Sequence, residues 1–291
     1  MMIRVLACTL GFLLTVCSVI AHPGSGIVVD KFGNVYFTDT GKGVWKIDAR
    51  GNLTYLPSSR FHWLAIDAEG SFANSPRSFG QYFERVSDKD STPTLITSSD
   101  FPLVVNNGNM YYADTRRREP KIVQRAPGGK ESVVISDKSL EFVSGIAAGE
   151  DGSLYLTITN PGDTTVIRKI TLDGTASIVA SPLGKADKDA PFETTPSYCR
   201  GIGIDSSGIM YVAQTGSRRV LKITPQGNAE SVLEEESPWT PTGVAIFKNE
   251  IYVLEWHDVE PALSEVRTAY IPRVRKIGVD GKATTIANVT R

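Results

Sequence analysis

His22, His62 and His257 are the three imidazoles in a chain of 291 residues. Imidazole nitrogens and carboxylate oxygens are the donors that Zn and similar divalent ions take. Carboxylates stand close by in the order of the chain, because Glu255 and Trp256 directly precede His257. A set of His62, His257 and Glu255 would hold a divalent metal such as Zn or Ca, with Asp39 as a further carboxylate. The metal would polarise a carbonyl or activate water, and a carboxylate would move the proton. The spacings run to tens and hundreds of residues and match no compact ligand motif, so only the fold can bring these groups together.

The elements that must do so form an internal repeat. Its clearest copy is GIVVDKFGNVYFTDTGKGVWKIDARGNLTYL, from Gly26 to Leu56. An apolar run ends in Asp, a Gly-Asn turn follows, and then come short runs of alternating apolar and polar residues. That alternation is the period of a β-strand, and the turn residues tolerate the positive φ of tight hairpins. Related units start at Trp63, Leu103, Gly145, Gly201 and Gly243. Their first-strand anchors, Ile27, Leu64, Leu103, Ile146, Ile202 and Val244, are spaced by 37, 39, 43, 56 and 42 residues. Four short strands per unit, six times over, predict an all-β, six-bladed β-propeller of four-stranded antiparallel blades. Each blade is expected to be contiguous in sequence.

In a propeller, the residue before each inner strand and the loop after each second strand gather at one mouth of the central channel. The first set is Ser25, His62, Pro102, Ser144, Arg200 and Thr242, and the second is Asp39, Ser75, Asp114, Ile158, Gln214 and Glu255. The candidate ligand contacts are Asp39, His62, Asp114, Arg200, Gln214 and Glu255 from these sets, together with Trp256, which follows Glu255 in the chain. Ring closure makes units six, one and two neighbours, which is what lets His22, His62 and His257 project to one side.

The units GNVYFTDTGKGVWKID and IMYVAQTGSRRVLKI resemble NHL repeats over nearly all of the repeat region. That resemblance implies a six-bladed propeller from a family that includes enzymes, RNA binders and protein-interaction platforms. The amidating lyases are similar in their repeats and place zinc-binding His at H-G-L strand starts. His62-Trp63-Leu64 matches such a start once, while Ser25, Ser144 and Arg200 occupy equivalent places, so the three-His set is not reproduced. Gluconolactonase-like propellers are also similar in plan and imply a metal-assisted lactone hydrolase, for which Asp39, Asp114 and Glu255 are the acidic candidates.

The N-terminus reads as an address. Arg4 precedes a charge-free apolar run from Val5 to Ala21, and Val19 and Ala21 are small residues placed for signal peptidase. Residues 1–21 are expected to be a signal peptide and residues 22–291 a single propeller domain, secreted or periplasmic and without a transmembrane segment after cleavage. Cys199 would be the one cysteine left, so no internal disulfide is available. With 31 basic against 32 acidic residues, the chain lacks the cationic excess of a general nucleic-acid binder. Two long segments, 181–200 and 256–272, interrupt the repeat and are expected to be loops on the binding face. Two functions follow from these residues: a module that binds a small molecule or a protein at the channel mouth, or a metal-dependent hydrolase or lyase at the same place.

Overall fold

The computed structural model describes residues 23–40, 42–88, 91–116, 118–162, 164–185, 195–259 and 269–290. The expected signal peptide, His22, and parts of both long segments lie outside the described residues. The described strands form six four-stranded antiparallel sheets arranged as the blades of a propeller. Blade one is Ile27–Val29, Val35–Asp39, Gly43–Ile47 and Leu53–Pro57, from the channel outward. Blades three to six keep the same sequential order, with inner strands Leu103–Asn106, Val143–Ala148, Ile202–Ile204 and Trp239–Phe247.

Local chemistry sets the hairpins. The Asp30 carboxylate accepts from the backbone N–H of Phe32 and Asn34 at 2.9 Å each, and Asp205 accepts from those of Ser207 and Ile209 at 2.9 and 3.0 Å. These Asx turns reverse the chain within four residues and lay the second strand beside the first. Gly33, with φ of 87°, completes the first of them.

Blade two departs from this order. Its inner strand Trp63–Asp67 pairs with Ser91–Ser98, which pairs with Phe83–Asp88, which pairs with Ser78–Phe79. The Asp67 carboxylate binds the N–H groups of Ser71 and Phe72 instead, at 3.0 and 2.7 Å. The longer turn carries the chain outward to the buried Phe72, and the second-strand place is filled last. Ser98, rather than Ser75, is therefore the mouth residue of this blade, opposite Trp63 in the register.

The core is six clusters, one at each junction between neighbouring blades. Blades one and six share Ile27, Phe37, Leu254 and Trp256, for example, and blades one and two share Tyr36, Val44, Leu64 and Leu95. Second strands, covered on both faces, are largely buried: every residue of Val35–Asp39 is buried, whereas Leu53–Pro57 is exposed except at Leu56. The ring closes where the Gly24 carbonyl accepts from Thr242 Oγ1 at 2.7 Å and from Trp256 Nε1 at 2.8 Å. Close approach at the hub requires glycine. A Cβ on Gly145 would lie 2.2 Å from the Arg200 carbonyl oxygen, and one on Gly243 would lie 2.4 Å from that of Ser25. No helix among the described residues is long and apolar enough to cross a membrane.

Candidate functional site

The inner strands enclose a channel cavity of about 230 Å³ lined by residues such as Val28, Val105 and Ile204. At the mouth, beside blades five and six, lies a larger cavity of about 580 Å³. Its walls include Tyr198, Arg200, Arg218, Glu235, Trp256 and Tyr270. Arg200 stands two residues before the inner strand of blade five, and its N–H donates to the Ala213 carbonyl of the second strand. Trp256 lies on the second strand of blade six, Glu250–Val259, which pairs with Ala269–Ile277 as a long β-ribbon. The expected loop after Glu255 is thus strand through Val259, and His257 sits within that strand.

Of the seven candidate ligand contacts, Arg200 and Trp256 line this cavity. Glu255 is adjacent in the chain but fully buried, and its Oε2 accepts from Arg273 Nε, directly opposite in the strand register. Arg273 is shared: its Nη2 also reaches Glu235 at 2.7 Å, and Arg275 Nη1 pairs with the same Glu235 carboxylate. Arg273 additionally lies 4.0 Å from the Trp239 ring centroid. Burial pushes the Glu255 carboxyl up to about 7, helped by the nearby Glu235 charge and opposed by Arg273. Its second oxygen, Oε1, is buried without a donor.

The other candidates are spent within their own blades. Asp39 is fully buried and accepts from Trp45 Nε1 at 3.0 Å. Asp114 ends the second strand of blade three, buried and in register with Lys121. Gln214 is buried, with Oε1 bound by Arg219 Nε at 2.5 Å, while its Nε2 has no acceptor. His62 Nδ1 lies 2.8 Å from the Ser99 carbonyl oxygen, in blade two. His257 packs against Trp239 with ring centroids 5.2 Å apart, in blade six. Among the described residues no group of three or more His, Cys, Asp or Glu side chains could hold a metal ion. The expected set of His62, His257 and Glu255 is therefore not brought together, because each is tied to partners of its own blade.

Glu235, Arg273 and Tyr270 were not among the residues singled out from the repeat. Glu235 follows the outer strand of unit five, a place the comparison of strand starts does not sample. Tyr198 and Tyr270 do come from the two long segments expected on the binding face, and both reach the cavity.

No family model matches the chain. Teneurin-4 of Homo sapiens is 26% identical over 242 residues, 73% of this chain. The chain spans about 8% of the length of that curated relative. Among solved structures, virginiamycin B lyase from Staphylococcus aureus superposes with a TM-score of 0.53 at 15% identity, covering 90% of this chain and 83% of that one. A gluconolactonase from Xanthomonas campestris gives a TM-score of 0.54 at 14% identity, covering 80% of this chain and 84% of that one. What this chain shares with those two structures is the six-bladed β-propeller.

Proposed function

We propose that the chain is an exported, NHL-type propeller that binds a small molecule in the cavity at the channel mouth. The observation that carries this reading is the cavity itself. At about 580 Å³, walled by Tyr198, Trp256 and Tyr270 and edged by Arg200 and Glu235, it has the size and mixed lining of a ligand site. The apolar run from Val5 to Ala21 supports export. The hydrolase or lyase alternative needs a metal or an acid–base pair at the mouth, and the residues expected to hold a metal do not fit one.

Thermal unfolding of the protein expressed from the full chain, screened against a metabolite library, tests the reading. A ligand should raise Tm by several degrees, and Tyr270→Ala should remove most of that rise. If no compound stabilises the protein, or stabilisation survives Tyr270→Ala intact, the cavity is not the binding site. A protein partner that docks over the mouth would instead be blocked by Arg218→Glu on the exposed rim.

A further inference from the structure

We infer that the mouth cavity takes an organic carboxylate and that Arg200 is the group that binds it; this rests on the cavity being the ligand site. Arg200 is only 6% exposed, yet among the described residues its guanidinium has neither a carboxylate partner nor a hydrogen-bond acceptor. Its Nε is closed off from solvent without an acceptor. Arg218, the other arginine lining the cavity, is exposed to solvent on its rim, and Arg273 and Arg275 nearby are paired with Glu235 and Glu255. A buried guanidinium left without an anion is costly, and proteins normally supply one.

Position adds to charge. Arg200 Cζ lies 5.9 Å from the ring centroid of Trp63. Trp63 belongs to blade two and Arg200 precedes blade five, three blades away around a ring of six, so the side chain lies across the channel axis. Arg200 lines the mouth cavity while Trp63 lines the channel, so their contact links the two spaces. The Trp63 contact satisfies none of the five N–H donors, which match a carboxylate in fork geometry.

The chemistry favours a carboxylate over a phosphate. One unpaired buried cation balances a monoanion. The backbone N–H groups of Gly216 and Arg218, which could have cradled a phosphate, already donate to the Tyr198 and Thr215 carbonyls. The cavity is also far larger than an inorganic anion, and Tyr198, Trp256 and Tyr270 offer apolar walls for a carbon skeleton.

Ligand-observed NMR with benzoate, benzamide and inorganic phosphate as probes tests the inference on the protein expressed from the full chain. Benzoate should bind, benzamide at least tenfold more weakly, and phosphate should not displace benzoate. Arg200→Gln should weaken benzoate at least tenfold and Arg200→Lys should restore part of the loss. Equal binding of benzoate and benzamide, both weakened by Tyr270→Ala, would overturn the carboxylate assignment while leaving the cavity as the binding site. Binding of phosphate in place of benzoate, or of none of the probes, would overturn it too; the library screen then decides the cavity separately.

Discussion

Glu255→Gln should flatten the dependence of stability on pH between about 4.5 and 7. The folded carboxyl stands at about 7 against an ordinary 4.5. In that window the folded chain holds a proton that the unfolded chain has released, so raising the pH removes a proton from the folded state only. The carboxyl is thus neutral and costless below about 4.5, and its contribution turns increasingly unfavourable as pH rises to about 7. At 1.36 kcal/mol for each pKa unit, the full penalty above pH 7 is roughly 3 kcal/mol. The contact with Arg273 stabilises the charged form, and the value of about 7 already includes that opposing effect. A glutamine keeps an oxygen for Arg273 and cannot ionise. Urea unfolding of both proteins across this range, followed by tryptophan fluorescence, should show the wild type losing up to roughly 3 kcal/mol relative to Glu255→Gln as pH rises. Parallel curves, or a wild type that gains on the variant, would refute a raised Glu255 carboxyl.

Trp256→Phe removes one of the two donors to the Gly24 carbonyl at the ring closure and should cost about 1–2 kcal/mol, read by urea unfolding. Gly145→Ala places a Cβ 2.2 Å from the Arg200 carbonyl oxygen, a backbone atom of the next blade. About 2–3 kcal/mol of lost stability is expected, visible as a lower thermal midpoint, and an unchanged midpoint would show that the hub can spread. Cys199 is fully buried and its thiol is pushed up to about 12. Iodoacetamide at about pH 8 should leave it unmodified in the folded protein and label it after denaturation, as followed by peptide mass mapping. Rapid labelling of the folded chain would mean that the junction of blades four and five opens.

The ring was legible because each turn carries its own chemistry. Asp30, Gly33 and Asn34 write the first hairpin in three residues, and Asp205 with Gly208 repeats it in blade five. Blade two hid its strand order because alternation identifies a strand but does not say which neighbour it takes. The Asp67 contacts to Ser71 and Phe72 reveal the longer turn, and which of these nearby N–H groups the carboxylate takes is visible only in the structure. The lining of the mouth cavity was legible in part. Arg200 and Trp256 follow from repeat position, whereas Arg273 lies beyond a segment whose length hides the register that sets it against Glu255. Asp39 and Asp114 occupy the expected places but are buried, since a second strand is covered on both faces to its last residue.

The strand order of blade two also bears on how the chain is made. Blade one can add its strands one by one as they emerge from the ribosome, each meeting a partner already in place. Blade two cannot, because Trp63–Asp67 waits for Ser91–Ser98, the last of its strands to be synthesised. Until Ser98 is out, Leu64 and Ala65 lack the strand that should cover their edge, and the loop closed by that pairing is the largest within any blade built of described strands in sequence order. The same arrangement joins Ser98 to Leu103 by a short link at the mouth, so completing blade two delivers the inner strand of blade three directly to its place at the hub. Vectorial synthesis would therefore pause at one blade and then nucleate the next.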